Sequence, residues 1–541
     1  MTSNITATEL FHRVAYIATA TEVKPATLNK LMHETLVLTC AAGLAGTPDA
    51  IGSLFAKVDV LCKLKRIGVN DYFDIQKMRH DSNSAAPLQR EELLYDCRAL
   101  AVLISKVFDT DIPAELIGHI PMSRKPQPSM RHIDRRCVRC IVRAVKGYMV
   151  TVETAQDADQ KMLQVDCSEP RLQYLADLLQ AGTQVNLIDV APQQGQEACQ
   201  VRQVIVEPDF LIDISSLAAC FTPYGHSPLA YTLKRLKEAA NSQAILIGNF
   251  AGSALDDIIN KGEDYDWTVT FKSNFREKAL EYCTCQDLNK QTSFHLEARK
   301  QVENIQKAVD ALFQSTYDRH KAILEPSFVC EQMGLQGRID LMTTDLRLLV
   351  EQKSGKNFSL ETQRSTVHGS MLTEPHYVQL LLYYECLSRN FSLPYNSIDG
   401  RLLYSKYPMP MGLPRATYFR QLIDEAIQLR NQIVTTEFNI ARNGFNSIID
   451  ELDPLALRTQ KVNEKLWNNY LYPQLCGVTE PLHDMDPLTH SYFCHMANFV
   501  YREQLASRLG VVEGTGNAAA DLWNMPLTEK KETGNIYTNL R

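Results

Sequence analysis

The stretch EQMGLQGRIDLMTTDLRLLVEQK, Glu331 to Lys353, constrains this chain more than any other. It reads as two short strands around a tight turn: Arg338 to Thr343, then Thr344-Asp345, then Arg347 to Lys353. Side chains alternate along a strand, so Glu351 and Lys353 share one face while Val350 and Gln352 take the other. Folding near Asp345 brings Asp340 back beside Glu351. Two carboxylates and an ammonium then converge within otherwise apolar strands. Carboxylates that close repel each other unless a cation lies between them, and hard oxygen ligands suit Mg²⁺ or Mn²⁺. Lys353 stands where it can orient a water nucleophile or neutralise charge building on a phosphate. An E-x-K triplet also describes a solvated strand face, and Glu529 and Lys531 form a second one near the C-terminus.

GLQGRIDL followed by LLVEQKSGK resembles the core of the PD-(D/E)XK nuclease superfamily, specifically its RecB-type branch, which includes the nuclease portion of the eukaryotic replication helicase-nuclease. On that resemblance Asp340 and Glu351 are metal ligands and Lys353 completes the catalytic set. The superfamily's leading Pro-Asp is relaxed here to Ile339-Asp340, as is usual in this branch. Downstream, HYVQLLLYYE resembles the branch's Gln-x3-Tyr helix, which implies that Gln379 and Tyr383 face the site from one side of a helix. Upstream, LIGNFAGSALDDIIN resembles the first-helix signature, in which a Gly precedes a metal-binding His by four residues. Here Gly252 precedes Asp256, so an oxygen ligand replaces a nitrogen ligand. Asp256 is the expected third ligand, Asp257 is its register neighbour, and His295 and His320 are the alternative nitrogen donors.

The resemblance covers residues 210–390 and implies an α/β nuclease core, a restriction-endonuclease-like mixed sheet flanked by helices. It implies Mg²⁺- or Mn²⁺-dependent hydrolysis of phosphodiester bonds in DNA, single-stranded by preference. The partner implied is a helicase, fused in longer relatives or supplied in trans, in DNA repair, recombination or defence. Two other readings use the same residues: a catalytically inactive nucleic-acid-binding scaffold subunit of a helicase complex, and an RNA-directed defence nuclease. Some eukaryotic members of the branch carry an iron–sulfur cluster on four cysteines. Cys137-x2-Cys140, Cys283-x-Cys285 and the lone Cys476 and Cys494 lack the required spacing, which argues against a cluster here.

The chain has 541 residues, enough for three or four domains. Its net charge of −7 gives no global pull toward nucleic acid, so DNA contacts must come from local basic patches. Its 14 cysteines are scattered, many in apolar segments such as VDVLCKL and YYECLS, the pattern of reduced thiols in a cytosolic protein. The N-terminus has no basic n-region or apolar h-region, and no apolar run approaches the roughly 18 residues of a membrane span. The sequence reads as a soluble cytoplasmic protein that makes no use of a membrane.

Residues 1–122 carry apolar positions at three- and four-residue spacing and read as a helical module. A Pro-rich linker, 121–128, separates it from 129–209, where three strands, a helix and two strands predict a small OB-like β-barrel. A basic run from Arg124 to Lys146, including Lys125, Arg131, Arg139 and Arg143, suggests a nucleic-acid path there, with Tyr148 as the main stacking platform. The nuclease region then occupies 210–440. Its first helices carry Gly248 and Gly252 for close backbone approach. SFHLEARKQVENIQKAVDALFQSTYDRHKAIL reads as one long helix, and DGRLLYSK as a further strand. Beside the hairpin, Lys356, Arg364 and His376 are polar groups available to phosphates. Residues 441–541 form a helical C-terminal extension, and its strand-like ending GNIYTNLR reads as though a further domain follows. KSGKNF lacks the glycine and Ser/Thr of a Walker A motif, so no ATP motor is evident.

Overall fold

The computed structural model describes residues 5–46, 54–83, 88–124, 135–154, 161–192, 198–237, 241–314, 316–362, 371–510, 518–525, 527–532, 534 and 536–538. The chain is mixed α/β with a small closed five-stranded barrel. No helix among the described residues is long and apolar enough to cross a membrane.

The N-terminal module is helical, as its apolar spacing predicts: α1 (Ala7–Thr19), α2 (Pro25–Gly43), α3 (Leu54–Leu64), α4 (Val69–Ser82), α5 (Arg90–Phe108) and α6 (Ala114–Ile117). Leu10, Val14 and Ile17 of α1 meet Met32 and Leu36 of α2 and Leu100 and Ile104 of α5 in one core. Thr6 and Glu9 start α1 with reciprocal side-chain to backbone bonds that satisfy two end amides.

The barrel comprises β1 (Arg135–Lys146), β2 (Met149–Thr154), β3 (Met162–Asp166), α7 (Leu175–Leu178), β4 (Gln184–Pro192) and β5 (Ala198–Gln200). β1, β2 and β3 form a meander, β3 pairs parallel with β5, and β4 closes the ring by pairing antiparallel with both β5 and β1. The single last strand expected from the sequence is broken. It divides into β5 and β6 (Gln203–Val206) around Arg202, whose guanidinium reaches out to Glu385 (3.3 Å) and the hydroxyls of Tyr395 (2.7 Å) and Tyr418 (2.8 Å). Three cations of the basic run are paired: Arg124 with Asp74 (2.7 Å), Arg139 with Asp209, and Arg143 with Glu153 (2.5 Å). Lys125 and Arg131 lie outside the described residues. Tyr148 is exposed.

After the barrel come β7 (Ile212–Asp213), α8 (Ile214–Ala218), a small hairpin of β8 (Phe221–Thr222) and β9 (Gly225–His226), α9 (Leu229–Leu236), α10 (Gln243–Lys261), α11 (Trp267–Glu277), α12 (Ala279–Thr284) and α13 (Phe294–Phe313). The long helix expected through Leu324 stops at Phe313, and Ala322–Leu324 is instead an edge strand, β10. The segment between them closes off a neighbouring helix: Arg319 donates to the carbonyls of Ile259 (2.8 Å) and Ile258, capping the end of α10. Gly262, at φ 63°, permits that cap, since a Cβ there would lie 2.8 Å from the guanidinium.

Next are β11 (Ser327–Cys330), β12 (Leu335–Arg338), β13 (Leu341–Thr343), β14 (Leu348–Lys353), α14 (Phe358–Thr362), α15 (Glu374–Phe391), β15 (Asp399–Tyr404), β16 (Arg415–Ala416) and α16 (Arg420–Asn443). The main sheet runs β10-β13-β14-β15-β16, antiparallel except for the parallel β14/β15 pair, which α15 connects. The expected segment DGRLLYSK thus supplies β15. Leu341, Leu348 and Val350 pack on α10 and α13 through Phe250, Ala254 and Ile305. On the opposite face Met342, Leu349 and Leu402 pack on α15 and α16 through Leu380, Tyr384 and Ile427. Residues beyond 440 continue as α17 (Asn446–Ile449), α18 (Glu464–Leu466), α19 (Tyr472–His483) and α20 (Pro487–Leu509) around Phe445, Trp467 and Tyr501. Ile536–Thr538 form no strand.

Two buried arginines tie the barrel to this core. Arg389 forks onto both oxygens of Asp189 at 2.7 Å. Arg430 has no exposed surface and donates to the carbonyls of Val206, Glu207, Phe210 and Gly334 where the chain leaves the barrel.

Candidate active site

The hairpin forms, with its first strand divided at the residue that matters. β12 ends at Arg338 in a small sheet with β11 and β7, and β13 begins at Leu341 in the main sheet. Ile339 and Asp340 make the crossing. Their backbone is held by the neighbouring bend at Glu325-Pro326: Glu325 N–H donates to the Asp340 carbonyl (3.0 Å) and Ile339 N–H to the Pro326 carbonyl (3.2 Å). The turn lies at Thr344–Leu346, with Leu346 at φ 58° and the Asp345 carboxylate accepting from the Thr343 hydroxyl (2.7 Å). Leu341 is paired with Val350, which sets Asp340 opposite Glu351.

The side chains interlock. Lys353 Nζ donates to Glu351 Oε1 (2.8 Å) and Gln379 Oε1 (3.0 Å), while Gln379 Nε2 donates to Glu351 Oε1 (2.7 Å). Asp340 Oδ2 accepts the Gln352 N–H (2.6 Å). Glu351 is only 3% exposed, and its Oε2 has no hydrogen-bond partner among the described residues. Burial pushes the Glu351 carboxyl up to about 8, and the neighbouring Asp340 adds to the rise; Lys353 and Gln379 offset only part of it. One ammonium does not neutralise this pocket. Burial also raises Asp340, against the Gln352 amide and Lys353.

Asp256 projects from α10 toward the same charges. Its carboxyl is raised to about 6 by burial first, then by Glu325, Asp340 and Asp257, with Arg338 opposing. Asp257 takes another role, pairing with Lys261 (2.9 Å) and accepting from the Thr270 hydroxyl. The alternative nitrogen donors stay apart. His295 is exposed and edges onto Trp267 and Phe271, and His320 is exposed at the turn end of the hairpin.

Tyr383 lies on the Gln379 face of α15 but reaches past the carboxylates. Its hydroxyl donates to the Arg338 carbonyl (2.5 Å) and so fixes the strand end that presents Asp340. Gly337 leaves room for that ring: a Cβ there would stand 3.0 Å from the hydroxyl. Of the two glycines expected to allow close approach, Gly248 does so against Ser354, where a Cβ would meet Oγ at 3.2 Å; Gly252 has open space. Lys356 is exposed, and Arg364 lies outside the described residues.

Glu325 is the residue that sequence reasoning missed. It sits at φ 49°, its carboxylate is 3.0 Å from Arg338, and its charge bears on both Asp256 and Asp340. The signal present was an acid immediately before Pro326 at the start of a strand, which does not by itself point inward.

Among the described residues no three His, Cys, Asp or Glu side chains meet closely enough to cage an ion. The donor chemistry nevertheless fits a hard divalent cation: the donors are all oxygen, their carboxyls are raised by burial and mutual repulsion, and one buried oxygen of Glu351 is orphaned. The cysteines lie elsewhere. Cys140 faces the barrel core while Cys137, on the opposite face of β1, packs against the core of the main sheet. No family model, curated protein or solved structure matches the chain.

Proposed function

We propose that this chain is a metal-dependent nuclease of the PD-(D/E)XK type, RecB-like, that hydrolyses phosphodiester bonds in single-stranded DNA delivered by a helicase. The observation that carries the reading is the interlock of Lys353 with Glu351 and Gln379 beside Asp340. The main sheet supports it too, with its antiparallel β10-β13-β14 followed through α15 by parallel β15, and α10 in front.

Asp340, Glu351 and Asp256 would hold Mg²⁺ or Mn²⁺, with Glu325 as a nearby fourth acid. When bound, such an ion supplies a Lewis acid that neutralises phosphate charge and acidifies water. Lys353 has three ammonium hydrogens, and Glu351 and Gln379 engage two. The third is left to a water or a phosphate oxygen. Gln379 aims the ammonium, and Tyr383 holds the Asp340 crossing. Unpairing duplex DNA costs roughly 1.4 kcal/mol per step, which hydrolysis at this site does not supply; a helicase would.

The purified chain with Mn²⁺ should therefore degrade labelled single-stranded DNA and leave blunt duplex and RNA largely intact. Efficient ATP-independent digestion of long blunt duplex would rule out the helicase requirement, and cleavage of RNA alone would rule out the DNA assignment.

Asp256 has its own test. Asp256→Ala should raise the Mn²⁺ concentration for half-maximal cleavage by about tenfold or more, on the scale of lost ligand-sphere contacts. An unchanged metal requirement would make Asp256 an ordinary helix residue.

A further inference from the structure

His376 stands in the first turn of α15, one helical turn before Gln379 on the same face. Tyr404 ends β15 and is register-paired with Lys353. The Tyr404 hydroxyl accepts the Thr373 N–H (3.2 Å) and lies 3.2 Å from His376 Nδ1. At that distance Nδ1 can accept the hydroxyl's own proton. In that arrangement the imidazole hydrogen lies on Nε2, which has no protein partner among the described residues.

We propose that His376 is a neutral hydrogen-bond donor to the phosphate engaged by Lys353, held as the Nε2–H tautomer by Tyr404. This role rests on the nuclease reading. Among the described residues, the titratable groups facing the ring are Lys353 from β14 and Tyr404 from β15. Burial and, after it, Lys353 hold the imidazole down to about 3, so it stays uncharged through the neutral range. A neutral donor stabilises charge developing on phosphate without repelling the adjacent ammonium.

The test pairs kinetics with a readout of the tautomer. His376→Phe keeps a ring of similar size and removes the donor, and it should lower kcat by about 10²-fold with little change in KM or metal requirement. His376→Gln, whose amide can return an N–H near Nε2, should recover most of that loss. Lys353→Ala, inactive on the nuclease reading, is the control. Wild-type rates in His376→Phe, beside an inactive Lys353→Ala, overturn this role and leave the nuclease reading standing. A wild-type chain that cleaves nothing refutes both. Independently of cleavage, ¹⁵N-histidine NMR, with His376 assigned by its loss in His376→Gln, should show the Nε2–H form unchanged from about pH 5 to 8. Protonation within that range, or an Nδ1–H signal, overturns the role whatever the cleavage assay shows.

Discussion

Lys353→Ala is expected to lower metal-dependent cleavage by about 10³-fold or more, the scale for removing a preorganised charge from a transition state. Its ammonium is the one cation bonded to Glu351 among the described residues, at 2.8 Å, and no neighbouring lysine or arginine there shares that bond. Arginine should not rescue it, because a planar fork cannot occupy the point between Glu351 and Gln379 that a compact ammonium fills. The fold should survive. Glu351 Oε1 retains the Gln379 amide, and a carboxyl already raised to about 8 meets the lost partner by staying protonated, so the cost is about 1–2 kcal/mol. Single-turnover rates beside thermal melts check both halves. Cleavage within tenfold of wild type would remove Lys353 from the chemistry.

Glu351→Gln should make the metal-free protein more stable at alkaline pH while abolishing cleavage. The Glu351 carboxyl ordinarily titrates at 4.5 and in the fold at about 8. Below 4.5 it is protonated in both states and its stabilising contribution is fully present. As pH rises, the unfolded chain releases a proton that the folded chain keeps, so stability falls until the folded group has also ionised, above about 8. The loss is on the order of 5 kcal/mol, and the amide escapes it. In chelator the variant's Tm should exceed wild type near pH 8.5 and meet it near pH 4.5; added Mn²⁺ should raise wild type and leave the variant unmoved. A wild-type Tm independent of both pH and Mn²⁺ would contradict this assignment.

Much of the site is legible in the sequence because strand alternation is rigid. Once Arg347 to Lys353 is read as a strand, Glu351 and Lys353 must share a face, and the turn near Asp345 returns Asp340 to them. The Gln379 and Tyr383 pair is legible as one helical turn, but its division of labour is not. Gln379 stops at the carboxylates and Tyr383 passes on to the Arg338 carbonyl because Gly337 leaves it space. Glu325 is hidden by its left-handed backbone, which tertiary bonds to Asp340 impose. Ala322–Leu324 reads as helix because three apolar residues after a helical pattern have no period of their own; sheet pairing with β13 decides it. The partners of the basic run are hidden for a related reason. Sequence shows charges and not their partners, and Asp74, Asp209 and Glu153 are distant in the chain or on the next strand.

The most direct measurement is the cleavage rate of labelled single-stranded DNA by the wild-type chain and by Asp340→Asn, each with Mn²⁺ and with chelator. Asparagine keeps an oxygen for the Gln352 N–H and removes only the charge, so the variant should fold as wild type does. Wild type should cleave with Mn²⁺ and not in chelator, and the variant should not cleave above background. Cleavage that persists in chelator, or that Asp340→Asn retains, would contradict the nuclease assignment.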